Sequence, residues 1–287
     1  MIENYAKDFL EKIKKEKDTN RYLSFWLEDM ENHLWLKDYL FQDYLEEGYD
    51  PIEVAKSKVF TYGYDEINRM IQVMEWVEDL VPKVVKELDP LLKGENVPLR
   101  VIIHHGLGNS AGSVSLIDGE LYLLFGVEKI VSLSWDKKAR VADLVAHEYG
   151  HIVHSFVRKE DLEPYQDFRR KWIFRMYIEG LALAIEDCLG GREKSSPEWF
   201  KLGVKQTKEL KRLFVNSLEN ENPKIQDFFG DWFPVLGMYE AGYFLGYMVV
   251  KNWRKTYTLR EIMKFPYEKI EEDCIKFLND VSTSMST

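Results

Sequence analysis

Residues 141–158 read VADLVAHEYGHIVHSFVR, and this stretch decides how the rest of the chain is interpreted. Its apolar residues recur at the spacing of one face of an α-helix. The stripe consists of Val141, Val145, Ile152 and Phe156. We therefore expect a long helix that starts at Ser134 or Asp136, runs to about Arg158 and packs on the core through this stripe.

Two histidines of this helix, His147 and His151, are four residues apart and so lie on one face, about 6 Å apart along the axis. Their imidazoles can converge on one metal ion. Glu148 then lies beside the ion, where a carboxylate can accept a proton from water and donate it to a leaving amine. His154 lies about 10 Å in rise from His147, too far to bind the same ion from a straight helix. We expect His154 to support the ligands or to lie on the surface.

A third metal ligand has to come from elsewhere, because a catalytic zinc site takes three protein ligands and leaves a fourth position open. Glu179, within YIEGLALA (residues 177–184), is a lone acid in an otherwise apolar helical segment. A buried carboxylate is costly there unless it is paired or binds a metal ion. The small residues that follow it would let another helix approach closely. We predict that Glu179 completes a zinc site with His147 and His151.

The pattern along the chain divides it into three regions. Residues 1–95 read as an N-terminal helical region, residues 96–158 as a small sheet followed by the metal-binding helix, and residues 159–287 as a helical lobe that carries Glu179. The fold class predicted from this order is α+β, mainly α.

Breaks in the first region fall at 48–51, where Asp50 can cap a helix that Pro51 opens, and at 88–90, where a second proline follows an aspartate. Elsewhere in this region the apolar residues recur at intervals of three and four residues. The region is therefore predicted to consist of several helices.

The second region begins with strand-like segments at 99–103, 114–117 and 121–125, the last two joined by a turn at Asp118–Gly119. A small antiparallel sheet fits this pattern best. His104 and His105 then lie at the end of the first strand.

The third region begins with a charged segment, residues 158–171, which forms either a connector or an exposed helix. A helix is predicted from about Ile173 to Leu189, and the helical pattern returns after Pro197. It is interrupted at 230–234 and resumes at Tyr239.

The composition excludes several classes of partner. The net charge of −10 and the pI near 5.3 disfavour nucleic acid and anionic membrane surfaces. The longest apolar run, residues 241–250, is about half of the roughly 20 residues that span a bilayer, and the first residues lack the apolar core of a signal peptide. Cys188 and Cys274 have no metal-site or disulfide-framework spacing. We expect a cytoplasmic protein without stable membrane insertion; its oligomeric state cannot be read from the sequence.

The sequence HEYGH (147–151) followed by EGLA (179–182) resembles the gluzincin metallopeptidases, in which a glutamate on the next helix completes the HExxH metal site. YEAG (239–242) resembles the Tyr-x-Lys-Gly segment of the aminopeptidase N and leukotriene A4 hydrolase family, with Ala241 in place of lysine. Residues 97–260 are also similar to a bacterial group of predicted zinc-dependent proteases of unassigned substrate. That group shares the HEY and EGLA motifs and a Gly-Tyr-x-x-Gly-Tyr helix, here GYFLGY (242–247).

Residue roles follow from this resemblance. It implies that Tyr239 stabilises the oxyanion of the transition state, with Tyr243, one helical turn later, as the alternative. Tyr239, Tyr243 and Tyr247 are spaced to share one helical face. It also implies that the segment 108–114 is an edge strand that pairs with the substrate backbone through Asn109, Ala111 and Gly112; the alternative is an ordinary loop and hairpin. Tyr243 is the further candidate for substrate binding.

The chain departs from the aminopeptidases in two respects. The 27 residues between His151 and Glu179 exceed the usual interval, and no Gly-Ala-Met-Glu-Asn segment precedes the metal-binding helix. The glutamate that binds a free amino terminus in aminopeptidases therefore has no match. Endopeptidase and aminopeptidase specificity both stay open.

The resemblance implies a zincin-like fold with a cleft between the sheet and metal-binding helix on one side and the helical lobe on the other. It implies a Zn²⁺-dependent hydrolase of peptide or protein substrates, with Glu148 as general base. The alternatives are a zinc hydrolase that cleaves a non-peptide bond and a zinc-binding module without catalytic activity.

Overall fold

The structure is a computed structural model that describes residues 1–94, 97–117, 119–159 and 164–280. It is mainly helical, with one small mixed sheet of four strands, which confirms the predicted fold class. The strands are β1 (Ile2–Asn4), β2 (Arg100–His104), β3 (Gly112–Ile117) and β4 (Glu120–Gly126). The helices are α1 (Ala6–Lys15), α2 (Tyr22–Met30), α3 (Leu34–Glu46), α4 (Pro51–Val54), α5 (Tyr64–Leu92), α6 (Val127–Ser132), α7 (Lys138–Arg158), α8 (Phe168–Glu186), α9 (Gly191–Ser195), α10 (Pro197–Glu219), α11 (Ala241–Trp253), α12 (Leu259–Met263) and α13 (Tyr267–Asn279).

The chain forms two compact units. The first contains residues 1–84 and 98–148, and the second contains residues 85–97 and 149–287. The division falls within α5 and within α7, so each of these helices contributes to both units. The division into three regions made from the sequence stays a prediction.

The sheet of the first unit has the strand order β1-β2-β4-β3. β3 and β4 form the predicted antiparallel hairpin, in which Asp118 of the turn lies outside the described residues. β1 and β2, and likewise β2 and β4, pair in parallel, so the expectation of an antiparallel sheet was wrong. A hairpin is readable from a short turn, whereas the direction of β2 depends on the path of the loop that follows it.

The first residues of the chain also differ from the prediction. Ile2–Asn4 form a strand instead of a helix, with Ile2 opposite Val101 and Asn4 opposite Ile103. A strand of three residues is too short to produce a readable alternation of apolar and polar side chains. The helices begin at Ala6.

The two predicted helix breaks had different outcomes. At the first, Pro51 opens α4 and the Asp50 carboxylate accepts the Ile52 N–H at 2.8 Å, as predicted. At the second, α5 continues through Pro90 to Leu92, so the predicted break was wrong. Proline has a helical φ, and near a helix end it costs few backbone hydrogen bonds.

The core of the first unit contains an aromatic cluster around the end of β2. Buried His105 packs against Phe9 and Phe60, with ring centroids 4.8 and 5.2 Å away. Its carbonyl accepts the Trp26 indole N–H at 2.8 Å, and its Nε2 lies 2.8 Å from the Tyr62 hydroxyl. The cluster confirms the strand-end position expected of His105 and packs α1, α2 and the sheet together.

The apolar stripe of α7 is only partly as predicted. Val141, Val145 and Ile152 are fully buried, but Phe156 is 43% exposed, so its assignment to the stripe was wrong. The last turns of α7 are instead buried through Val153 and His154. The buried face shifts there because α8 packs against the His154 side of the helix.

The second unit is built on a close contact between α8 and α11. A Cβ added to Gly180 would overlap the backbone of Gly246, and one added to Gly246 would overlap the Met176 carbonyl. The two glycines thus bring the backbones of these helices into direct contact, as expected of the small residues that follow Glu179.

The ends of the helices in the second unit differ from the prediction. α8 begins at Phe168, and the carboxylate of Asp167 caps it by accepting the Arg170 N–H at 2.9 Å. The last residues of the charged segment 158–171 are therefore helical. α11 begins at Ala241, which leaves Tyr239 outside the helix. Glu240 has φ +55°, and this left-handed residue separates Tyr239 from the helical face of Tyr243.

A buried ion cluster lies near the start of α11. Arg192 is buried, and its guanidinium forms an ion pair with the Glu240 carboxylate and lies 3.6 Å from the carboxylate of the fully buried Glu186. Arg192 therefore links the C-terminal end of α8 to the residue that precedes α11. In the part of the chain that the structure describes, no helix has the length and apolar character needed to cross a bilayer.

Candidate metal centre

His151 and Glu179 lie close together within the second unit. The distance from His151 Nε2 to Glu179 Oε2 is 3.3 Å. Two ligands at about 2.0–2.1 Å from a tetrahedral zinc ion lie about 3.3–3.4 Å apart. The spacing of this pair is therefore compatible with two ligands of one ion.

His147 lies on the same helix as His151, one turn earlier, and together with His151 and Glu179 it forms a cluster that we call the metal group. One ligand atom from each of His147, His151 and Glu179 lies within 4.8 Å of the other two. His147 and Glu179 are buried, each with 5% of its surface exposed, and His151 is partly buried. The group could hold a metal ion.

A glycine of the HEYGH segment lies against a residue of α8. A Cβ on Gly150 would lie 2.7 Å from Cδ1 of Ile185, so a larger residue would require the Ile185 side chain to move. Glu179 lies six residues before Ile185 on α8, within the same packed segment. Gly150 of α7 and Ile185 of α8 are therefore in close side-by-side contact near the metal ligands.

The donor set fits a transition metal better than a hard cation. Two imidazoles and one carboxylate suit Zn²⁺, whereas Mg²⁺ and Ca²⁺ prefer oxygen ligands throughout. A set of three ligands also leaves a position for water or substrate.

Glu148 is buried against the first residue of β3. A Cβ on Gly112 would lie 2.7 Å from Glu148 Oε1 and 2.8 Å from its Cγ. The Glu148 side chain thus occupies the space that any larger residue at position 112 would need. Sequence reasoning assigned roles to both residues but did not predict that they touch.

His154 is buried, so the alternative that placed it on the surface was wrong. Its Nε2 lies 3.1 Å from the hydroxyl of Tyr177, which itself donates to the Ile262 carbonyl at 3.0 Å. Burial, followed by the charges of Arg158 and His151, lowers the pKa of His154 well below its ordinary value. A neutral His154 joins α7 to α8 two residues before Glu179 and thereby supports the helix of the ligand.

Arg175 approaches the metal group and was not found from the sequence. It lies one helical turn before Glu179 on α8, and its Nε is 3.8 Å from Glu179 Oε1. The i, i+4 spacing of an arginine and a glutamate was the signal that could have indicated it.

The two candidate tyrosines lie in different settings. Tyr239 is 46% exposed, and its carbonyl accepts the Trp199 indole N–H at 2.9 Å. Tyr243 is half-buried in α11, 6.2 Å from the ring of Phe229 and 6.0 Å from the guanidinium of Arg192. The hydrogen bonds and ring contacts found for Tyr239 among the described residues do not reach the metal group, so its role stays a prediction.

The loop between β2 and β3 is fixed by Glu128, a residue that sequence reasoning missed. Its carboxylate accepts the N–H groups of Gly106 and Gly108 at 2.8 and 3.0 Å. In the same loop the Asn109 amide donates to the Leu40 carbonyl of α3 at 3.1 Å. A lone acid directly after the apolar segment YLLFGV (122–127) was the available signal.

The three residues predicted to contact substrate around this loop have different surroundings. The Asn109 amide is engaged with α3, and Ala111 is buried, with its carbonyl accepting the Gly126 N–H at 3.1 Å. Gly112 contacts the side chain of Glu148, the predicted general base. Contact of these residues with substrate stays a prediction.

Comparisons with protein-family models, with curated proteins and with solved structures find no match to this chain. A functional assignment therefore depends on the geometry of the site.

Proposed function

We propose that this chain is a zinc metallopeptidase in which His147, His151 and Glu179 hold the ion and Glu148 acts as general base. The observation that carries the proposal is the grouping of two imidazoles and one carboxylate within 4.8 Å of one another. Glu148 follows directly after the first of these ligands. A site that served structure alone would have no use for a base at that position.

The chain's own residues account for the movement of protons. A bound zinc ion would supply a Lewis acid that polarises the scissile carbonyl and makes water acidic enough to attack at neutral pH. A Glu148 carboxylate oxygen accepts the proton of the attacking water and then donates it to the leaving nitrogen. Because Glu148 is buried, that carboxylate is shielded from bulk water during both transfers.

The position of β3 supports a peptide as substrate. β3 is at the edge of the sheet, and the Gly126 N–H donates to the Ala111 carbonyl, which makes Gly112 and Phe125 a non-hydrogen-bonded pair of the ladder. By the alternation of an antiparallel ladder, the N–H and C=O groups of Gly112, Val114 and Leu116 point away from β4. The Gly112 carbonyl accepts the Ser110 hydroxyl, and an extended peptide could pair with the remaining outer edge in the manner of strand addition.

A tyrosine is expected to stabilise the oxyanion. The resemblance favours Tyr239, whose exposed side chain follows the loop 230–238 and precedes the left-handed Glu240. Tyr239→Phe should then lower kcat by roughly 10²- to 10³-fold while zinc content stays unchanged. An unchanged kcat in Tyr239→Phe, with a large loss in Tyr243→Phe, would transfer the role to Tyr243.

The decisive experiment combines metal analysis with cleavage of a peptide library. Wild type should bind about one zinc ion per chain and cleave peptides, whereas Glu148→Gln should keep the zinc and lose most turnover, because an amide cannot accept the proton. Glu198→Gln is the matched control, since this residue lies on the surface in an ion pair with Lys201. Near wild-type cleavage by Glu148→Gln would refute the mechanism.

The ligand assignment has its own test. His147→Ala, His151→Ala and Glu179→Ala should each lower zinc occupancy sharply, because each removes one of three protein ligands. Full zinc retention in Glu179→Ala would show that the third ligand is a different residue.

A further inference from the structure

We propose that Arg175 is a positioning residue of the metal centre, whose guanidinium holds the Glu179 carboxylate so that one oxygen faces the ion. The inference rests on the metal-binding part of the proposed function and not on peptide cleavage.

The two oxygens of Glu179 face different partners. Oε2 lies 3.3 Å from His151 Nε2, on the side of the metal ligands, and Oε1 lies 3.8 Å from Arg175 Nε. A carboxylate with a cation on one oxygen binds a metal ion preferentially through the other oxygen. Arg175 therefore favours coordination through a single oxygen, which leaves space for water and substrate.

The guanidinium is itself held in place. Its Cζ lies 5.8 Å from the centre of the Phe229 ring, within the range of a cation–π contact. Phe229 is stacked on Trp172, with ring centroids 5.4 Å apart and planes 20° apart. Arg175 thus rests on a packed aromatic pair, and the Glu179 carboxylate has a fixed neighbour on its Oε1 side.

Two effects of Arg175 on metal affinity oppose each other. Its positive charge repels a divalent cation, but the side chain is 34% exposed, so solvent screens much of that repulsion. Fixing the orientation of a ligand, in contrast, typically changes metal affinity by about 10- to 100-fold when the supporting residue is removed. The gain from orienting the Glu179 carboxylate should therefore exceed the charge repulsion, and loss of Arg175 should weaken zinc binding.

The test is the zinc affinity of full-length variants, measured by competition with a chromophoric chelator. Arg175→Met should bind zinc about 10- to 100-fold more weakly than wild type, and Arg175→Lys should recover part of the loss because it retains a charge at this position. Arg169→Met is the matched control on the same helix, since Arg169 pairs with Glu271 on the surface, and it should bind zinc like wild type.

A spectroscopic measurement separates positioning from a general effect on folding. The visible absorption of the Co²⁺-substituted protein reports the coordination of the ion, so its bands should shift in Arg175→Met while circular dichroism and the thermal midpoint stay close to wild type. Unchanged zinc affinity with an unchanged Co²⁺ spectrum in Arg175→Met would overturn the proposal, as would equal losses in Arg175→Lys and Arg175→Met.

The outcomes distinguish this inference from the proposed function. If zinc binding depends on Glu179 but not on Arg175, only the role of Arg175 is refuted. If Glu179→Ala keeps its zinc, the ligand assignment and the role of Arg175 both fail. Absence of peptide cleavage leaves the affinity experiment fully interpretable, because that experiment involves no substrate.

Discussion

Replacement of Gly112 by alanine tests the contact between β3 and the proposed general base. The added Cβ would lie 2.7 Å from Glu148 Oε1, 2.8 Å from Cγ and 3.0 Å from Cδ, whereas ordinary contact begins near 3.4 Å. The carboxylate has to move by about 0.7 Å to relieve the overlap. Since a misplacement of about 1 Å at a reacting group can cost 10²-fold in rate, kcat should fall by roughly 10²-fold, or about 2.7 kcal/mol of transition-state stabilisation.

The fold and the metal ligands should tolerate this change. The three atoms nearest to the added Cβ all belong to the Glu148 side chain, which can rotate, so stability should fall by only about 1 kcal/mol. Zinc content should stay at the wild-type value. The measurements are kcat on a cleaved peptide, zinc per chain and the urea midpoint, with Gly63→Ala as control because its Cβ meets only Glu66 Oε2, at 3.4 Å.

A double variant makes the reasoning refutable. If Gly112→Ala acts through Glu148, then adding it to Glu148→Gln should cost almost nothing further, because the group it displaces has already lost its function. Wild-type kcat in Gly112→Ala, or full additivity in the double variant, would show that the contact does not position the base.

Three further predictions concern stability. Gly180→Ala should destabilise the protein by about 3 kcal/mol in urea unfolding, because its Cβ would overlap the backbone of Gly246; a loss below about 0.5 kcal/mol would contradict the close helix contact. Arg192→Met should cost about 3 kcal/mol by the same assay, because it removes a cation that lies 3.6 Å from the carboxylate of the fully buried Glu186, and an unchanged midpoint would refute this. Burial lowers the pKa of His105 to about 3, so the unfolded chain binds a proton below about pH 6.5 and the folded chain does not. The free energy of unfolding therefore falls as the pH falls. Between pH 7 and pH 5, the free energy of unfolding should fall by about 2 kcal/mol less in His105→Phe than in wild type. Parallel curves of unfolding free energy against pH for the two proteins would exclude this assignment.

The sequence placed His147 and His151 on one face because helical spacing fixes geometry locally, whereas Glu179, 28 positions after His151, was predicted from the cost of burying a lone acid. His147 and His151 must share a face of α7, and a lone acid in an apolar segment such as Glu179 needs a partner. The helical character of most of the chain and the hairpin of β3 and β4 were readable for the same local reason. Each depends on residues within a few positions of one another.

The features that could not be predicted depend on contacts between distant segments. The parallel pairing of β1 with β2 and the contact of Gly112 with Glu148 join residues far apart in the chain. The exposure of Phe156 likewise follows from which side of α7 is covered by α8. The ion pair of Arg175 and Glu179 is local, but its importance becomes visible only once the metal group is located.

The parallel pairing of the first strand has a consequence for the order of events during synthesis. Ile2 lies opposite Val101, 99 positions later in the chain (101 − 2), so β1 can join the sheet only after the residues up to Val101 have been made. At roughly 5–20 residues per second, that delay is about 5–20 s, far longer than the microseconds in which a helix such as α1 forms. Residues 2–4 should therefore reach their final place well after α1 has formed, although they precede α1 in the chain.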